Sequence, residues 1–129
     1  MHAHLTGGPD LPPLDDRLKE KLEGLSAEAR AAYHTFRDTG DTDMLDRAVA
    51  GAIGFLVPGA GPGAVAPVAD EAHLIDDLGF DSIAMTELVF LAEDIFGIAI
   101  ADEEIRTLGT VAEVKAFMRA KLAAAGTRA

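Results

Sequence analysis

The sequence predicts an all-α protein, a bundle of three longer helices and one short one over residues 41–124 with a further helical segment over 14–40. Three observations support this. With six Phe, one Tyr and no Trp, the core must be built from aliphatic side chains and Ala, which favours packed helices over a β-sandwich. Apolar residues recur at the three- and four-residue spacing of a helix in every long segment. Segments open at Asp, Ser or Thr, and two of them close at Gly40 and Gly97, residue types that satisfy or tolerate the backbone demands of helix ends.

Residues 1–13 contain Gly7, Gly8, Pro9, Pro12 and Pro13 and read as a flexible tail. From there Leu14, Leu18, Leu22, Leu25, Ala29, Ala32 or Tyr33, and Phe36 form an apolar stripe. Gly24 and Ser26 interrupt it, and Ser26 is a good cap, so one kinked or two short helices are expected, ending near Gly40. A stripe of this kind needs apolar surface to cover it, so the segment is expected to pack rather than to stand free.

Asp41 and Thr42 cap a helix over about 43–56, with Leu45, Ala48, Val49, Ala52, Ile53 and Leu56 on one side. The stretch from Val57 to Pro67 holds three prolines and three glycines and reads as a long loop. Gly59, Gly61 and Ala64 fit a relaxed dinucleotide fingerprint, but a helix precedes them and Pro62 intrudes, so nucleotide binding is not expected. A second strong helix spans about 82–96, opened by Asp81 or Ser82 and stopped by Gly97, with Met85, Leu88, Val89, Ala92, Ile95 and Phe96 expected inward. Asp102, Glu103 and Glu104 place acids at the start of a short helix, where the helix dipole favours them. Thr110-Val111-Ala112-Glu113 is a capping box opening a last helix to about Ala124, with Val111, Val114, Phe117, Met118 and Leu122 inward. Residues 125–129 read as a second flexible tail.

The absence of cysteine excludes disulfides, thiolate metal sites and a Cys nucleophile. The start, Met1-His2-Ala3-His4, lacks the pattern of a signal peptide, and no apolar run approaches a membrane span, so a cytoplasmic protein is expected. The net charge is −11, and between Ala48 and Ile105 there is neither Lys nor Arg. That stretch holds eleven acids, from Asp70 to Glu104. Such a surface repels nucleic acid and anionic lipid and attracts basic protein patches.

The chemistry concentrates in Leu74-Ile75-Asp76-Asp77-Leu78-Gly79-Phe80-Asp81-Ser82-Ile83. A serine after a glycine turn at a helix start presents its hydroxyl to solvent, and free N–H groups beside it favour an anion. Taken alone it reads as a helix cap, the usual role of a serine at a helix start, rather than as a modification site. No base accompanies it, since His73, the nearest histidine, lies on the approaching loop, and the Gly-x-Ser-x-Gly elbow of hydrolases is missing. His2, His4, His34 and His73 read as surface residues, and no metal site is expected. A twelve-residue calcium loop from Asp76 to Glu87 fails because its third and fifth positions are Leu78 and Phe80 and its sixth is Asp81.

Asp77-Leu78-Gly79-Phe80-Asp81-Ser82-Ile83 resembles the signature of acyl carrier proteins, and the likeness runs from Ala72 to Met118 through Glu87-Leu88-Val89, Glu93-Asp94, Phe96, Ile100, Asp102-Glu103-Glu104 and Thr110-Val111. The resemblance implies a four-helix bundle that catalyses nothing itself. It implies that a phosphopantetheinyl transferase, using coenzyme A and magnesium, attaches 4′-phosphopantetheine to Ser82, with Asp81 supporting that step. Gly79 would match the turn position where a side chain crowds the transferase. The arm's thiol would then hold acyl groups as thioesters, and the bundle interior would shelter the chain. Ile83 in place of the common Leu, Ala84 in place of an acid, Ala101 in place of Pro, and the N-terminal segment depart from the usual pattern and suggest a specialised carrier.

Ile83, Glu87, Phe90 and Asp94 share one face of the 82–96 helix. By resemblance this is the face read by acyl-transferring, condensing or acyl-activating enzymes that present basic patches around an apolar contact. The expected role is an acyl carrier of fatty-acid, polyketide or specialised lipid biosynthesis. An aminoacyl or peptidyl carrier, and an unmodified carrier-like adaptor, are the alternatives; Phe80-Asp81 lacks the second glycine and the His common before the serine of the former.

Overall fold

The computed structural model describes residues 11–58 and 68–126. Residues 1–10 of the N-terminal tail, 59–67 of the Pro- and Gly-rich loop, and 127–129 of the C-terminal tail lie outside the described residues. Six helices follow in chain order: α1 Asp16–Glu23, α2 Ala27–Thr39, α3 Thr42–Leu56, α4 Ser82–Phe96, α5 Asp102–Arg106 and α6 Val111–Gly126. This is the all-α arrangement expected, with α3, α4 and α6 long and α5 short. No helix among the described residues is long and apolar enough to cross a membrane.

The N-terminal segment forms two helices rather than one kinked helix. Ser26 takes an extended backbone and its hydroxyl accepts the Ala29 N–H at 3.1 Å, so α1 must stop and α2 must start there. Leu18, Leu22 and Leu25 are buried, whereas Leu14 precedes the Asp15 cap and stays exposed. The Phe55 ring of α3 lies directly over Gly24. Where α2 crosses α3, Gly51 faces Ala29 so closely that a methyl group on Gly51 would overlap the Ala29 side chain. Two small residues thus allow the backbones of α2 and α3 to meet.

α3 sits at the middle of the packing and touches α2, α4 and α6, while α1 lies on α4. The buried residues of all these elements form one cluster, from Leu18 through Ile53 and Ile95 to Leu122. Tyr33 of α2 is fully buried, its ring packs against Phe96, and its hydroxyl donates to the Ile95 carbonyl in the last turn of α4. That carbonyl has no partner within its own helix, so Tyr33 satisfies an acceptor that the helix end leaves over. Burial raises the Tyr33 pKa, opposed by the Arg37 guanidinium 3.3 Å away.

The remaining connections are pinned by backbone bonds and carboxylates. Leu74 N–H donates to Gly109, and Val111 N–H to Ala72, so the loop before α4 is stitched to the start of α6. The capping box read from sequence is present: Thr110 Oγ1 accepts the Glu113 N–H, and Glu113 accepts the N–H groups of Gly109 and Thr110. Lys115, Arg119 and Lys121 tie α6 to Asp70, Asp46 and Glu104. The last helix reaches Gly126, two residues beyond the expected end.

Two expectations follow. Helix propensity alone favours Ala over Gly in a helix interior by about 1 kcal/mol. At position 51 the overlap with Ala29 reverses the sign: Gly51→Ala should destabilise by roughly 1–3 kcal/mol, the usual scale of overpacking. Adding Ala29→Gly should recover much of the loss, and urea unfolding of the four proteins in the cycle checks this. The second concerns Glu113, whose pKa is lowered chiefly by the Gly109 and Thr110 N–H bonds. A depressed carboxylate stabilises the fold above its unfolded pKa and ceases to do so as pH falls through its folded value. The melting-temperature gap between wild type and Glu113→Gln should be full at neutral pH and close below about pH 4. The comparison cancels the relief of acid–acid repulsion, which both proteins share.

Candidate functional site

The loop into α4 is built on two anchors, Leu74 and Phe80, both buried. Phe80 N–H donates to the Leu74 carbonyl at 2.9 Å, closing a turn between them. Within it Gly79 has φ +76°, a left-handed conformation that side-chain-bearing residues rarely adopt. Nothing lies within 4 Å of where its Cβ would be, so within this chain the requirement for glycine comes from the backbone angle and not from crowding. On the outer side of the turn Asp77 accepts the His73 N–H at 2.8 Å, a bond that lowers the Asp77 pKa.

Asp81 then takes an extended backbone and its Oδ1 accepts the Ala84 N–H at 2.8 Å. Of the two residues that could open α4, Asp81 is therefore the cap. Ser82 is the first residue inside the helix, exposed, with a hydroxyl that has no hydrogen-bond partner among the described residues. The N–H groups of the first turn point the same way, and the helix carries no acid there because position 84 is alanine. The arrangement offers a free hydroxyl at the positive end of a fifteen-residue helix, suited to bearing a phosphodiester.

Along α4, Ile83 and Phe90 are 68% and 59% exposed, and Glu87 is exposed beside them. Asp94, the fourth residue of that face, is half-buried and stands 3.0 Å from Lys21 Nζ of α1. The structure thus leaves three of the four in solvent and engages the fourth. The inward face of α4 consists of Ala84, Leu88, Leu91, Ala92, Ile95 and Phe96. Met85 and Val89, expected in the core, are only half-buried, while Ala84 and Leu91 join it. The buried arc is turned toward the flank on which α1 lies.

Beneath α4 an apolar cleft of about 20 Å³ is lined by Val49, Leu88, Ala92, Ile105, Val114 and Met118 among others. That exceeds the roughly 10–15 Å³ that one water needs but is far too small for an acyl chain, so a guest chain would have to part the helices. His34 and His73 are exposed, as expected, whereas His2 and His4 lie outside the described residues.

Sequence reasoning did not find Lys21 or Tyr33. Lys21 sits three residues from Leu18 at the edge of the apolar stripe, which shows that it borders an interface but not which acid it meets. Tyr33 was placed on the inward side, yet its acceptor is 62 positions away.

Residues 63–118 match the family described as Phosphopantetheine attachment site. The acyl carrier protein of Thermotoga maritima is 38% identical over 55 residues, which is 43% of this chain and 68% of that protein. No solved structure matches the chain. With the matched segment spanning the whole of α4 and its preceding turn, the chain belongs to the acyl carrier protein family, carriers that bear a covalently attached 4′-phosphopantetheine and are not enzymes.

Proposed function

We propose that the chain holds acyl intermediates as thioesters on a 4′-phosphopantetheine arm joined to the Ser82 hydroxyl. The observation that carries this reading is the exposed hydroxyl of Ser82, without a hydrogen-bond partner among the described residues, on the first turn of a capped helix. The bound arm would supply the thiol, a group this cysteine-free chain does not itself contain. The chain's own residues do the rest. Gly79 and Phe80 shape the turn, Asp81 caps the helix through one carboxylate oxygen and keeps the other for the transferase step, and the α4 N-terminus favours the phosphodiester charge.

Partners in this reading are a phosphopantetheinyl transferase and acyl-transferring, condensing or acyl-activating enzymes of fatty-acid, polyketide or specialised lipid biosynthesis, in the cytoplasm. Ile83, Glu87 and Phe90 form the surface they meet, an apolar pair around a carboxylate in a stretch without Lys or Arg. Basic residues around an apolar contact would complement it. Asp94 contributes less, since Lys21 already compensates its charge. We assign residues 41–124 to the carrier unit and 14–40 to an extension of it.

Co-expression with a phosphopantetheinyl transferase should add the mass of one arm, and Ser82→Ala should abolish the addition while leaving the melting temperature unchanged; intact-mass spectrometry decides, and a wild type that stays unmodified with several transferases favours the adaptor. Glu87→Lys should lower kcat/KM with an acyl-handling partner by about tenfold, mainly through slower association. Undiminished turnover would remove Glu87 from the docking surface.

A further inference from the structure

Between α1, the end of α3 and α4 runs an open groove of about 620 Å³. Its apolar floor includes Phe55, Phe90 and Leu91, and its rim carries Glu20, Lys21 and Glu87. Phe90 is 59% exposed, a large ring facing solvent inside a groove rather than scattered on a convex surface. Lys21 is engaged with Asp94 at 3.0 Å, so the one cation on the rim among the described residues is compensated. Glu20 and Glu87 are exposed on opposite walls and have no ion pair among the described residues.

We propose that α1 and α4 together form a docking groove for a partner protein that inserts one large apolar side chain flanked by a basic residue, so that the N-terminal extension is part of the surface by which this carrier is read. The proposal rests on the assignment of Ser82 and of the α4 face, and extends that face sideways onto α1. Charge complementarity selects the occupant. The apolar floor accepts a Leu- or Phe-sized group, and the two uncompensated carboxylates on either side call for a cation next to it. A second copy of the chain, at net charge −11, would approach against its own repulsion. The chain's own 59–67 segment contains neither Lys nor Arg and cannot answer Glu20 and Glu87. Leu18 and Leu22 seat α1 on the common core and the Lys21–Asp94 pair links it to α4, which makes the wall a built part of the surface.

The test uses the full chain, isotope-labelled and loaded on Ser82, with two synthetic amphipathic helical peptides as probes. One carries a single Leu anchor flanked by Arg; the other has Glu in place of each Arg. Titration of the Arg peptide should shift the amide signals of Glu20, Lys21 and Gly24 together with those of Phe90 and Leu91. The Glu peptide should bind at least about tenfold more weakly, and Glu20→Lys should weaken the Arg peptide about fivefold or more. Shifts confined to the start of α4 with α1 silent, equal binding of the two peptides, or no binding at millimolar peptide would each overturn the proposal. So would signals that move with protein concentration alone, which would assign the groove to a second copy. Loading of Ser82 is scored by mass in the same samples. Intact loading with a silent α1 defeats this inference and leaves the carrier reading standing, whereas absent loading defeats the carrier reading itself.

Discussion

The structure depends on how α4 is held at its two ends. At the start, the Asp81 carboxylate takes the Ala84 N–H and fixes where the helix begins. At the finish, Gly97 turns left-handed with φ +68°, Pro12 rests against it, and the buried Tyr33 hydroxyl donates to the Ile95 carbonyl. A hydrogen bond of this kind contributes about 1 kcal/mol net, but losing it would strand a buried acceptor at a higher cost. With both ends fixed, the rotation of α4 about its axis is fixed too. That rotation decides that Ser82, Ile83 and Phe90 face water while Leu88 and Ile95 face the core.

The two N-terminal helices are participants in this arrangement. α2 supplies Tyr33 and Phe36 to an aromatic cluster with Phe96, and α1 supplies Leu18 and Leu22 to the same buried cluster as α3 and α6. A bundle as small as the 41–124 segment has a modest core, and an added layer of helix raises the buried apolar share of the whole chain. The same layer brings α1 alongside α4, so stability and surface shape are set by one packing event.

Much of this was legible before any coordinates. Asp41, Asp81, Ser26 and Thr110 are local signals, each acting within three residues of itself, and each caps the helix it was expected to cap or compete for. The serine motif is local as well. What could not be read are pairings across the chain: Lys21 with Asp94, Tyr33 with Ile95, and the His73–Thr110 bridge that binds the α4 approach to α6. Periodicity reports which side of a helix is apolar, but not which neighbour covers its margins. Hence Ala84 and Leu91, at the edge of the α4 stripe, were missed, while Met85 and Val89 on the other edge were expected deeper than they lie.

The meeting of Gly51 with Ala29 bears on how such a chain can be recombined. In the sequence, Gly40-Asp41 has the look of a seam, a helix stop followed by a fresh cap. In the packing there is no seam at that point, because the backbones of α2 and α3 cross in near contact through two residues chosen for their smallness. Joined to a carrier with any side chain larger than hydrogen at the crossing, these first 40 residues would be pushed away, and a chain cut at Asp41 would leave part of the surface around Leu45, Val49 and Ile53 uncovered. α2 and α3 are therefore a matched pair, and an exchange of parts has to carry both halves of the crossing.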